Sequence, residues 1–89
     1  MTRKNVPLQN VSRNPNVRSE FRKARINLRK TQKEMAEDLE VTEVYIRHVE
    51  NKHLNPSIKK MILFESYLKV PAKILFSDLY DEAKSFIAK

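Results

Sequence analysis

A chain of 89 residues has room for one domain around one core, and none for a separate sensor or catalytic domain. It contains no cysteine, which excludes disulfide scaffolds, thiolate zinc sites and thiol nucleophiles. The net charge is +7 and the excess lies early: residues 1–30 carry nine basic groups against Glu20, whereas residues 31–89 carry nine against ten acids. A basic leading segment on a balanced body suits an arm that seeks a polyanion, although the same charge would also serve as a solvated tail. The longest apolar run, Met61 to Phe64, is far short of a membrane span. The N-terminus lacks the apolar stretch of a signal peptide, so a soluble, cytoplasmic protein is expected.

Taken in chain order, residues 1–15 hold Pro7, Pro15 and several turn-prone side chains without an apolar period, which predicts an irregular basic arm. From Asn16 onward the pattern is helical. Val17, Phe21, Ala24 and Leu28 fall at helical spacing and predict a first helix. Thr31 followed by Glu34 is a capping-box pattern opening a second helix with Met35, Ala36 and Leu39 inward. Thr42 suits the cap of a third helix with Ile46 and Val49 inward and Glu43, Val44, Arg47 and His48 outward. Asn55-Pro56-Ser57 breaks the chain, and Ser57 caps a fourth helix with Ile58, Met61, Ile62, Phe64 and Leu68 as buried candidates. Pro71 suits the first turn of a fifth short helix with Ile74, Leu75 and Phe76. From Ser77 a last helix carries Leu79, Ala83, Phe86 and Ile87 on one stripe, either closing the core or forming a dimer seam. No stretch alternates as a strand. The expected fold is all-α, with an arm over 1–15, a domain over 16–76 and an amphipathic helix over 77–89.

The stretch from Thr31 to Asn51 carries the functional argument. Two short helices joined by a three- to four-residue turn cross steeply, so that the second projects from the surface and fits a major groove. Ala36 is small where the helices approach, Val41 plugs the turn, and Ile46 with Val49 anchors the second helix. Together with Phe21, Ala24-Arg25, Thr31-Gln32, Glu34, Leu39, Glu50-Asn51, Asn55-Pro56-Ser57 and Val70, this stretch resembles the Cro/phage-repressor helix-turn-helix family, also called the lambda-repressor-like fold. The resemblance covers about Phe21 to Phe76. It implies a five-helix DNA-binding domain, usually acting as a dimer on a roughly palindromic operator, here extended by a C-terminal helix.

The resemblance further implies that Gln32, Thr42, Asn51 and Lys52 contact the DNA backbone and that Glu43, Val44, Arg47 and His48 read bases. Side-chain chemistry agrees in part: arginine reads guanine edges, glutamate accepts from cytosine, and valine packs on a thymine methyl. Tyr45 suits either a phosphate contact through its hydroxyl or half-exposed packing. Arg25 and Glu50 match the family's structural ion pair. Residues 31–50 carry only Lys33 and Arg47 against six acids, so phosphate neutralisation is expected from Arg3, Lys4, Arg13, Arg18, Arg22 and Lys23, or from Lys52, Lys59 and Lys60.

Glycine is absent, and Glu40, Lys52 and Lys69 stand where the family often uses it, so these positions are either strained or turn differently. Glu65 stands where the family usually has a small core residue, and is expected either to be exposed or to join the Arg25–Glu50 network. His48 and His53 lack a third ligand, so no metal is expected. Nothing arranges Ser, His and Asp as a triad, and no cofactor or enzymatic activity is expected. The leading reading is a sequence-specific transcriptional regulator, a repressor of phage, plasmid or bacterial origin, with double-stranded DNA as partner and a homodimer or a protein regulator beside it. One alternative is an acidic recognition surface for a protein partner, as in an anti-repressor or assembly factor. The other is a nonspecific nucleic-acid binder driven by the arm.

Overall fold

The computed structural model describes residues 15–88, with side chains through residue 85. The arm expected over 1–15 therefore lies outside the described residues except for Pro15, and so do the side chains of Phe86 and Ile87. Among the described residues six helices follow one another: α1 (Ser19–Asn27), α2 (Gln32–Leu39), α3 (Glu43–Glu50), α4 (Ile58–Leu68), α5 (Ala72–Leu75) and α6 (Ser77–Ala88). No strand occurs among the described residues. The first helix begins later than its apolar spacing suggests, because Val17 lies in a turn ahead of Arg18.

Helix starts follow the sequence closely. Thr31 and Glu34 form a reciprocal capping box, the Thr31 hydroxyl accepting from the Glu34 N–H and the Glu34 carboxylate from the Thr31 N–H. Thr42 accepts from the Tyr45 N–H and Ser57 from the Lys60 N–H. Pro71 caps α5 from just outside instead of entering its first turn. The Glu65 carboxylate accepts the Ala72 N–H at 2.9 Å, so this exposed glutamate binds the start of α5 and leaves the Arg25–Glu50 network alone.

Helix ends show how a chain without glycine turns corners. Arg29, Glu40, Lys52 and Lys69 have φ of 59°, 59°, 63° and 60°, the left-handed conformation in which glycine is the usual choice. Glu40, Lys52 and Lys69 resolve the sequence question in favour of the strained geometry, and Arg29 adds a fourth case. Three of the ends are Schellman motifs. Lys30, Val41 and His53 donate N–H bonds back to the carbonyls of Arg25, Ala36 and His48, while Arg29, Glu40 and Lys52 donate to Ile26, Glu37 and Val49. At Lys69 a single bond to the Glu65 carbonyl gives the simpler left-handed cap.

The core is built on three phenylalanines. Phe21 meets Phe64 edge to face at 5.1 Å between centroids, and Phe76 lies 5.9 Å from each. Met35, Ala36, Ile46, Val49, Leu68, Ala72 and Leu75 complete it, so α1 to α5 share one apolar interior. Leu28, Leu39, Val41, Met61 and Leu79 pack at its edge. Two expected core residues do not join. Ile58 and Ile62 are 72% and 60% exposed, because α4 turns Phe64 and Leu68 inward and the Ile58–Ile62 row outward. Ile74 is 42% exposed on the four-residue α5, which can bury only one side.

Candidate nucleic-acid interface

The inner face of α3 is fixed by apolar burial, with Ile46 and Val49 fully inside. The packed rows leave Thr42, Glu43, Val44 and Arg47 exposed and His48 half-buried. Val44, at 47% exposed, is an apolar side chain facing solvent beside two charged ones. Glu43 and Arg47 are one turn apart with charged atoms 4.0 Å from each other, a loose surface pair that leaves both groups available to another partner. Gln32 opens α2, and the turn from Glu40 to Thr42 sets α2 and α3 against each other over Ala36 and Val41.

Tyr45 is half-buried and its ring stacks on Phe64 at 6.3 Å and 15°, so packing is its evident work. Burial pushes its hydroxyl above the ordinary value, and it stays protonated near neutrality. Asn51 ends α3 and is half-buried. The Lys52 ammonium donates to the Pro15 carbonyl at 2.8 Å, which holds the first described residue beside the C-terminal end of α3. His48 and His53 stack edge to face at 5.5 Å, and no group of three or more metal-ligating side chains occurs among the described residues.

The back of α3 is held by charge inside the fold. Glu50 is fully buried and receives both Nε and Nη2 of Arg25, at 2.9 and 3.1 Å, and Nε of Arg22 at 2.8 Å. Desolvation acts to raise its carboxyl, but the hydrogen bonds from Arg25 and then Arg22 outweigh it and hold the group below its ordinary value. Arg18, expected among the phosphate contacts, is 3% exposed and works in the interior. It donates to the Val49 and Leu54 carbonyls at 2.6 and 3.1 Å, to Asn55 Oδ1 at 2.8 Å, and through Nε and Nη2 to both oxygens of Asp78. Its guanidinium also lies over the Phe76 ring, 5.3 Å from the centroid. A cation at the last carbonyls of α3 complements that helix's dipole.

Arg22, likewise expected at a phosphate, spends its Nε on Glu50 while its side chain stays 40% exposed. Arg18, Arg22 and Arg25 stand at i, i+4 and i+7, a spacing that marks one helical face. That spacing, read beside the Arg25–Glu50 match, was the signal for the whole cluster. Sequence reasoning also missed the tie between Lys30, Asp38 and Tyr67. The Lys30 ammonium lies 3.0 Å from Asp38, whose carboxylate also accepts the Tyr67 hydroxyl. Those two hydrogen bonds, Tyr67 first and then Lys30, lower the Asp38 carboxyl, while burial and the Asp38 bond push the Tyr67 hydroxyl up to about 12. The pair pins the end of α2 to α4.

No helix among the described residues is long and apolar enough to cross a membrane. No curated protein and no solved structure matches the chain. A helix-turn-helix family model of the Cro/C1 type matches residues 21–75, which spans α1 to α5 and includes the turn between α2 and α3. On that match and this all-helical architecture, the chain belongs to the Cro/C1-type helix-turn-helix family of DNA-binding regulators.

Proposed function

We propose that the protein is a sequence-specific transcriptional regulator, acting as a repressor, that inserts α3 into the major groove of its operator. The observation that carries this reading is the division of α3 into a locked inner face and an exposed row of Glu43, Val44 and Arg47 with His48 beside it. In this reading those four residues meet base edges. Gln32, Thr42, Asn51 and Lys52 meet the sugar-phosphate backbone, and Tyr45 supports the helix from behind. Arg47 bidentate to guanine is the contact of greatest discrimination, worth about 1–3 kcal/mol against the wrong base.

Affinity has a separate source. Residues 31–50 carry a net charge of −4, which repels phosphate. Of the nine basic groups in residues 1–30, Arg18, Arg22 and Arg25 are engaged by internal acids. Lys30 is likewise held by Asp38 at 3.0 Å, so the remaining positive charge lies with Arg3, Lys4 and Arg13 in the arm and with Lys23 and Arg29 on the domain. The Lys52–Pro15 bond sets Pro15 next to the end of α3, a position from which a basic arm reaches an adjacent minor groove.

Selection of bound fragments from a random pool tests the reading. A few sequences should be enriched, and the preference should fall with Arg47→Ala or His48→Ala. Deleting residues 1–14 should weaken binding to all fragments alike. The acidic charge of α2 and α3 favours one rival, a surface for a basic protein partner. That rival takes over if no fragment is retained at low salt.

A further inference from the structure

Arg18 spends every donor its side chain has. A guanidinium carries five N–H groups. Here Nη1 gives to the Val49 and Leu54 carbonyls, Nη2 to Asn55 Oδ1 and Asp78 Oδ2, and Nε to Asp78 Oδ1. The main chain adds a sixth bond, the Arg18 N–H donating to the Glu50 carbonyl at 2.8 Å. Val49 and Glu50 are the last two residues of α3, and a helix end leaves such carbonyls without a partner inside the helix. One residue ahead of α1 therefore caps the end of α3 through main chain and side chain together.

Asp78 decides where that guanidinium points. Among the described residues it is the one charged group that Arg18 touches, and it takes the Nε–Nη2 edge with both oxygens, at 3.1 and 3.0 Å. The bidentate fork fixes the plane of the guanidinium and leaves Nη1 aimed at α3. Arg18 is buried, so without Asp78 its charge would stand unneutralised inside the fold, a cost that turns the side chain toward water. The Val49 and Leu54 carbonyls would lose their donor in the same movement. Asp78 sits in the first turn of α6, and the hold on that helix is short: Leu79 packs at the core edge, whereas residues 80 to 85 are all exposed. A short helix fastened at one end is marginal in water.

We infer that α6 is a latch on α3: docked, its Asp78 holds Arg18 where it caps the end of α3, and undocked, it frees the segment from Asn51 to Asn55. Arg47 and His48 stand in the last turn of α3, and their carbonyls bond the Asn51 and His53 N–H groups. Loosening that end unsettles two of the four side chains assigned to base edges, while the charge that attracts phosphate stays in place. Docking of α6 thereby sets discrimination more than attraction. This effect on DNA rests on the operator reading proposed above; the coupling of α6 to α3 does not.

Amide hydrogen exchange of the full-length protein without DNA, followed residue by residue, tests the coupling. Asp78→Ala should speed exchange at Asn51 and His53 by about 10- to 150-fold beyond any change at the amides of α2, as loss of hydrogen bonds to a charged group does. Asp78→Asn, which keeps the shape and one acceptor, should fall between the wild type and Asp78→Ala. Leu79→Ala, which loosens α6 without touching Arg18, should speed the same two amides, and Glu82→Ala, on the exposed part of α6, should leave them as they are. In fragment binding, Asp78→Ala and Leu79→Ala should each lower the preference for a selected fragment over a scrambled one. If the wild type retains no fragment, the operator reading fails and the exchange result still decides the latch. Exchange at Asn51 and His53 that rises no more than in α2 on Asp78→Ala overturns the latch, as does Leu79→Ala leaving both amides at the wild-type rate. A preference that both variants keep overturns its effect on reading.

Discussion

Glu50 is the residue on which the rest of the domain leans. It lies at 0% exposure, with Arg25 and Arg22 as its hydrogen-bonded partners, at the last turn of the helix that faces solvent on its other side. Breaking a buried pair from one side strands the other charge, so Glu50→Ala should lower the unfolding free energy by about 3–5 kcal/mol in denaturant titration. The pH dependence follows from the depressed carboxyl. Its contribution is complete above the ordinary value of 4.5 and is lost as pH falls through the lower folded-state value. Wild-type stability should therefore drop below about pH 4.5, and Glu50→Ala should flatten that drop. Glu40 is a separate matter. A non-glycine residue at φ 59° bears a left-handed strain of roughly 1–2 kcal/mol, partly offset by the unfolded-state freedom that glycine would add. Glu40→Gly should accordingly raise stability by about 1 kcal/mol, seen as a melting temperature higher by about 4–8 °C.

At the scale of elements, helix starts were legible because caps are written in local sequence. Thr31, Glu34, Thr42 and Ser57 each bond the N–H expected of them. Helix ends were harder to read, since a left-handed Arg29 has no sequence mark once glycine is absent. The burial of α4 was misjudged at Ile58 and Ile62 because a helix rich in apolar residues all round gives no phase, and only the position of the three-phenylalanine core sets it. Arg18 was assigned outward on charge alone. Its spacing to Arg22 and Arg25 indicated the same face, yet its partners Asp78, Asn55 and the Val49 carbonyl lie 31 to 60 residues away and could not be inferred locally. These bonds join the ends of α1, α3 and α6 through one guanidinium. Arg18→Ala leaves the Val49 and Leu54 carbonyls without that donor and should cost at least about 2 kcal/mol in denaturant titration. Backbone amides of α6 should also exchange faster than those of α4.

Across the whole molecule, charge separates attraction from reading. Much of the basic excess counted in the first third is used to brace α3 from within, and the exposed part of the helix-turn-helix is acidic. On the proposed reading, affinity then resides in the arm and in surface lysines and arginines, and falls steeply with salt, while discrimination resides in four side chains of α3. The two contributions should separate cleanly under mutation, because a base contact changes the ratio between sequences and a phosphate contact changes all sequences together. The most direct measurement is the dissociation constant for a selected fragment and for a scrambled one, wild type against Arg47→Ala, over a series of salt concentrations. The account predicts that Arg47→Ala reduces the selected-to-scrambled preference by about 5- to 150-fold, the equivalent of 1–3 kcal/mol, while the salt slope on the scrambled fragment is unchanged. An equal loss on both fragments, or no loss on either, would contradict it.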